Sequence, residues 1–338
     1  GVKVTPEGKK LNSTILLALL MGSLAAAVLI RVFVVHDEEL LEMKNRTPVL
    51  GTFATYIVIA DSEAANRILS SMDSLARHLD NELGVFGDGE LSRLNMAGYA
   101  IIPELSSDME YLLEKALFIS SVTDSLFDPT MGVLVNTWGF PDDPCVPSQA
   151  EIDTALSLSG LENLWISGDT LHLESGTLLN FGAIAKGYTA DRIYSHARNS
   201  GARAALVEIG GEIRCGGDPE TGRIWKLAVR NPRGEDILDL LEMESGAVAT
   251  SGDYESYFLS DGLRFCHILD PRTGYPETGI ASVTVVSDDA AAADALATAI
   301  SVGGIETAES IPDSLFSLII VIMEDDSGEA TEWRRGSI

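Results

Sequence analysis

Between Thr250 and Pro276 the chain reads Thr-Ser-Gly-Asp-Tyr and, further on, His-Ile-Leu-Asp-Pro-Arg-Thr-Gly-Tyr-Pro. Thr250, Ser251, Asp253, His267, Asp270 and Thr273 share this stretch with the turn formers Gly252, Pro271, Gly274 and Pro276. An ordinary core strand fills its positions with apolar side chains, so this density of hydroxyls and carboxylates around one imidazole reads as a site. His267 is the candidate general base, because an unperturbed imidazole titrates close to neutrality. A structural histidine, satisfied by Asp270 or by a backbone group, is the alternative.

Two further segments carry chemistry. Asp294 and Thr298 are four apart in an alanine-rich segment, so on a helix a carboxylate and a hydroxyl project from one face about one turn apart. Two hard oxygens so placed suit Mg²⁺. A solvated helix face, with Thr298 bonding back to the carbonyl one turn earlier, is the bland alternative. Residues 180–191 read as a glycine-containing turn entering a helix, where free amides and the helix dipole favour a phosphate. Lys186 falls in the first turn of that helix, where the dipole disfavours a cation, and this local conflict points to an anionic ligand, with an exposed lysine at a helix start as the alternative. Gly210-Gly211 either lets the backbone approach a ligand closely or forms a β-bulge.

The elements that must position these residues mix strands and helices without strict alternation, which predicts an α+β fold rather than a doubly wound sheet. Strands are expected at 56–60, 204–209, 225–230, 281–286 and 317–323. Helices are expected at 62–80, 108–121, from Ser148 onward and at 289–302, with a Pro- and Asp-rich surface loop at 141–147. With 338 residues, 46% of them hydrophobic, the chain is large enough for an extensive core. The formal charge of -28, from 51 acidic against 23 basic residues, would repel a polyanion, so nucleic acid is not an expected partner.

From Leu11 to Ile30 the chain carries no charge, and about 20 apolar residues suffice for a membrane-spanning helix. Lys3, Lys9 and Lys10 precede the run while Asp37, Glu38 and Glu39 follow it. The positive-inside rule then leaves the N-terminus in the cytoplasm and the body outside, anchored to the inner membrane by a single pass. Ala25-Ala26-Ala27 offers a cleaved signal peptide as the competing reading, but the apolar stretch continues to Val35 and favours an uncleaved anchor. No cysteine near the run offers a lipoprotein anchor. The expected organisation is residues 1–36 as stub and anchor, 37–48 as linker and 49–338 as one catalytic domain. Cys145, Cys215 and Cys266 lack metal-binding spacing and allow at most one disulfide. Cys266, next to His267, reads as a small buried residue because strand neighbours face opposite ways.

Seven segments stand in a fixed order: Leu50-Gly51-Thr52, Glu90-Leu91-Ser92-Arg93-Leu94-Asn95, Phe127-Asp128-Pro129-Thr130-Met131-Gly132 running to Trp138-Gly139-Phe140, Asn180-Phe181-Gly182-Ala183-Ile184-Ala185-Lys186-Gly187-Tyr188, Gly210-Gly211-Glu212-Ile213-Arg214, the 250–276 stretch, and Ala293-Asp294-Ala295-Leu296-Ala297-Thr298. Singly each is weak; together and in this order they resemble the ApbE family of FAD:protein FMN transferases, from Leu50 to about Gly304. The resemblance implies Mg²⁺ held by Asp294, Thr298 and the backbone carbonyl of Ala183. It implies FAD contacts at Leu50, Leu126, Phe127, Asp128, Asn180, Lys186 and Ile268, and His267 activating the hydroxyl of an acceptor protein. Three positions depart from the family pattern: Asn180 stands where most relatives carry Asp, Val85 where many carry an aromatic (with Phe86 next to it), and Leu50 where methionine is usual. The implied reaction moves FMN from FAD to a Thr or Ser hydroxyl and releases AMP, with extracytoplasmic subunits of redox complexes of the sodium-pumping quinone reductase or Rnf type as implied acceptors. Hydrolysis of FAD to FMN and AMP, and flavin binding without turnover, are the alternatives.

Overall fold

A computed structural model describes residues 40–324 and 329–338. The apolar run 11–30 and the linker's first residues lie outside them, and among the described residues no helix is long and apolar enough to cross a membrane.

The body is organised around an eight-stranded sheet. Its strand order is Leu41–Val49, Thr52–Ala60, Ala204–Ile209, Glu212–Gly217, Gly246–Gly252, Ile280–Ser287, Leu318–Glu324 and Ala330–Gly336, with every neighbouring pair antiparallel. The inner strands bury both faces, so their sequences run nearly continuously apolar instead of alternating. On one face Tyr56, Val58, Ala205 and Val207 meet Ala65 and Met72 of helix Ser62–Leu83 and Ile193 and Ala197 of helix Ala185–Asn199. On the other, the hairpin Trp225–Arg230 with Ile237–Met243 lays Trp225, Leu227 and Leu241 over Ile57, Leu206, Ile213 and Ile320. Helices on one side and a hairpin on the other make this the mixed α+β body that the element pattern predicts.

Most predicted elements are present within a residue or two of their expected bounds, including helix Gln149–Ser157 behind a capping box closed by Ser148 and Glu151. Four expectations change. Residues 41–48, expected in a linker, form most of the edge strand Leu41–Val49. Only Met43, Asn45, Thr47 and Val49 on one side turn inward, so its polar, proline-bearing sequence hides it. The sheet also continues past 317–323 with Ala330–Gly336, another polar edge strand. The alanine-rich helix runs on to Ser310, broken at Gly304, whose φ of 67° and ψ of -155° interrupt the helical path. All three cysteines are unpaired, so the disulfide allowed by the sequence is not formed.

Candidate active site

His267 follows a small hairpin, Tyr257–Ser260 with Leu263–Cys266, that stands apart from the main sheet. Phe258 and Phe265 stack across it at 5.4 Å and pack against Trp138 and Phe140, which fixes the hairpin to the body. The Ser256 carbonyl accepts from the backbone N–H of His267 at 3.0 Å and lies 3.1 Å from its Nδ1. That contact assigns the proton to Nδ1 and leaves the Nε2 lone pair as the acceptor. Burial, reinforced by the cation of Lys186, pushes the imidazole down to about 4, so it is neutral at physiological pH.

Neither nearby aspartate competes with it as a base. Asp253 pairs with Arg233 through two 2.7 Å contacts and with Arg264 at 3.2 Å. Asp270 accepts from the backbone and side chain of Arg272. The partner of His267 is therefore the backbone, not Asp270.

Facing this residue is a buried set of charges on other elements. Lys186, in the first turn of helix Ala185–Asn199, places its ammonium 2.7 Å from Glu212 Oε1 and 3.6 Å from Asp294 Oδ1. Burial opposes the lysine charge, but Asp294, Glu212 and Glu255 outweigh it and hold its pKa above the ordinary value. Burial drives all three carboxyls upward, Glu255 to about 8, against the attraction of Lys186. Glu212 Oε2 and Glu255 Oε1 are buried without a hydrogen-bond partner among the described residues. Negative charge around the lysine is thus supplied by the protein's own carboxylates.

Asp294 is 2% exposed on helix Ala290–Ser310, and its Oδ2 accepts the Gly187 N–H at 3.0 Å. The two helices meet so closely that a Cβ at Gly187 would stand 2.1 Å from the Ala290 carbonyl oxygen. Asp191 fixes their register by accepting the Ala290 and Ala291 amides, at 3.0 Å each, on the start of the second helix. Thr298, one turn on from Asp294, lies 3.4 Å from Ser251 Oγ of strand Gly246–Gly252.

Apart from Lys186, the residues implied to contact FAD fall in three places. Leu126 and Ile268 pack together with Cys266 and Val302. Asp128 and Asn180 are joined by their loops, through the Asn180 N–H donating to the Pro129 carbonyl at 2.8 Å. Each also folds its own turn, Asp128 accepting from the Thr130 N–H and hydroxyl, Asn180 Oδ1 from the Gly182 N–H at 2.7 Å. Leu50 sits in the two-residue turn of the first hairpin at φ 48°, its N–H given to Asp80 Oδ1 at 2.9 Å. Phe127 is 2% exposed, its ring in the core and its N–H donating to Thr123 Oγ1 at 3.3 Å. A groove of 180 Å³ opens between Val85, Phe86, Asn95, Met96 and Asn180. Phe86 is 72% exposed at its lip. Asn95 holds the groove's floor by bonding both the N–H and the carbonyl of Leu179.

The ApbE family model matches residues 50–319. This chain belongs to the ApbE family. It is 32% identical over 298 residues to the FAD:protein FMN transferase of Vibrio cholerae, covering 83% of this chain and 87% of that one. It is also 32% identical over 267 residues to the Haemophilus influenzae protein of the same name, with 72% and 75% covered. Among solved structures, the ApbE protein of Thermotoga maritima superposes with a TM-score of 0.79 at 30% identity, over 86% of this chain and 96% of that one. The flavin transferase ApbE of Vibrio cholerae gives 0.74 at 29%, over 87% and 97%.

The arrangement fits a hard cation in this ApbE chain. The Gly187 N–H, one of the amides left without an intrahelical acceptor at the start of helix Ala185–Asn199, is given to Asp294 Oδ2, and Ala183 lies just before that helix. Among the described residues no three His, Cys, Asp or Glu side chains gather around a common point. The candidate ligand set holds only one of those types, with a hydroxyl and a carbonyl beside it. Sequence reasoning did not single out Asp191, Glu212, Glu255 or Asn95. Glu212 and Asn95 stand in two of the seven ordered segments, but their burial and partners show only in the structure.

Proposed function

We propose that this chain is a FAD:protein FMN transferase, moving FMN from FAD onto a hydroxyl of an acceptor protein with release of AMP. The observation that carries the reading is a neutral imidazole, its Nδ1 tied to the Ser256 carbonyl, in an ApbE-family body that also carries the Lys186 and Asp294 pair. His267 Nε2 takes the proton of an acceptor Ser or Thr as its oxygen attacks the FMN phosphorus. The bond to the AMP phosphate oxygen breaks, and AMP leaves with the electron pair. Lys186 is placed to stabilise charge on the phosphates, in a site where low dielectric strengthens the effect. Asp294, Thr298 and the Ala183 carbonyl would hold Mg²⁺, which when bound neutralises pyrophosphate charge. Leu126 with Ile268, and Asp128 with Asn180, line the path for the flavin nucleotide beside the groove at Phe86.

The acceptor would be an extracytoplasmic redox subunit of the quinone reductase or Rnf type. The chain would meet it outside the inner membrane, tethered by the charge-free run after Lys9 and Lys10. Protease added outside spheroplasts should then digest the body, and full-length protein in the cytosolic fraction would end this placement. The chemistry is tested by incubating the chain with FAD, Mg²⁺ and a candidate acceptor while following AMP and protein mass. Transfer gives AMP together with an acceptor heavier by one FMN. AMP without added mass would mean hydrolysis, and neither signal would mean flavin binding alone.

A further inference from the structure

Lys186 stands between two carboxylates and is held more closely by one, hydrogen-bonded to Glu212 and in a longer ion pair with Asp294. Its ammonium is within hydrogen-bond distance of Glu212 at 2.7 Å, whereas Asp294 Oδ1 lies beyond it at 3.6 Å. The Glu212 side chain is 1% exposed and is delivered by a two-residue hairpin turn at Gly210 and Gly211, with φ of 61° and 111°. A Cβ at Gly210 would lie 3.5 Å from Lys186 Cδ and 3.0 Å from Thr52 Cγ2, so the turn also forms the bed of the lysine stem. Glu255 is buried in the same region with Oε1 unpartnered, and no hydrogen bond joins it to Lys186 among the described residues. An ammonium released from Glu212 would have Asp294 as its nearest anion, a shift of about 1 Å bringing the pair into full contact.

We propose that Glu212 is a positioning residue that holds Lys186 off Asp294, keeping that carboxylate available to a divalent cation. The proposal rests on the Mg²⁺ reading above. It differs from a count of charges, because Lys186 feels both Glu212 and Glu255 while only Glu212 tethers it.

The test measures Mn²⁺ binding to the purified full chain by calorimetry or by the spin-resonance signal of free Mn²⁺, with melting curves to confirm folding. Glu212→Gln should weaken Mn²⁺ binding at least tenfold, and Glu255→Gln less than threefold. Adding Lys186→Met to Glu212→Gln should recover affinity to within threefold of the parent. Lys186→Met alone should bind Mn²⁺ at least as tightly as the parent, which keeps the test decisive if Glu212→Gln does not fold. Equal losses in Glu212→Gln and Glu255→Gln would overturn the tether in favour of net charge, as would a double variant no better than Glu212→Gln. A single Lys186→Met variant that binds more weakly than the parent would overturn it too. A parent chain that binds no Mn²⁺ would instead defeat the metal reading itself.

Discussion

The site has two walls built on different principles. The helix wall carries Lys186, Asp294 and Thr298 on two helices pressed together at Gly187, with charges buried and their partners fixed. The hairpin wall carries His267 at the foot of a two-stranded element outside the main sheet. It is held by aromatic packing on one side and presents Tyr257 and Leu259 to solvent on the other. Electrostatic work on a phosphate profits from a rigid, low-dielectric setting. Proton transfer from a second protein needs a base that the partner can reach, and a hairpin at the margin of the body offers that access.

Breaking the hairpin wall chemically should have the largest effect. His267→Ala should lower FMN transfer by about 10²–10⁴-fold, the usual contribution of a positioned base, while FAD affinity measured by flavin fluorescence stays near the parent value. Transfer at the parent rate would remove His267 from the reaction, since Asp253 and Asp270 are both engaged in ion pairs with arginines.

On the helix wall, Asp294→Asn removes one charge at nearly constant volume. Metal affinity should fall by more than about 10–100-fold, the cost of losing a residue that only orients a ligand, and transfer should collapse at low Mg²⁺. Gly187→Ala attacks the same wall through sterics. Its new methyl meets backbone rather than a side chain that could turn away, so a stability loss of about 1–3 kcal/mol is expected from overpacking. A melting temperature equal to the parent's would show that the two helices part easily.

How the two walls were legible in the sequence differs as much as how they are built. The helix wall was readable because Asp294 and Thr298 obey helical spacing in an apolar run, and because Lys186 violates a helix-end preference. What completed the wall was not readable. Glu212, Glu255 and Asp191 come from elements far apart in the chain, and no local pattern says that their carboxylates converge. Strand Leu41–Val49 escaped for a related reason, since an edge strand packs one face and its polar residues read as linker. On the hairpin wall His267 stood out by residue type alone, but its partner, a backbone carbonyl, leaves no trace in side-chain identity. Asp253 and Asp270 looked like chemistry and serve arginines.

The titration of His267 sharpens the contrast between the walls. Because its folded pKa is pushed down to about 4, the neutral, proton-accepting form persists well below the unperturbed value. The acid limb of kcat/KM for transfer, which reports the free enzyme, should therefore fall near pH 4, provided the protein remains folded there. A limb centred near 6.5 would mean that the imidazole is solvated and the hairpin more open than its packing implies.

The smallest effect is expected at Thr298, and it separates a ligand from a structural residue. Thr298→Val keeps the shape of the side chain and deletes a neutral oxygen 3.4 Å from Ser251 Oγ. If the hydroxyl only bridges helix to strand, its loss removes one weak hydrogen bond, costs about 0.5–1.5 kcal/mol and shifts the melting temperature equally with and without metal. If it is a ligand, the Mg²⁺ concentration for half-maximal transfer should rise several-fold, less than for Asp294→Asn because no charge is lost. Saturating Mg²⁺, or Mn²⁺ with its like preference for oxygen, should then restore most of the rate, since binding energy lost to one ligand is recovered by mass action. An unchanged metal dependence in both Thr298→Val and Asp294→Asn would remove the cation from this wall, together with the role assigned to the Ala183 carbonyl.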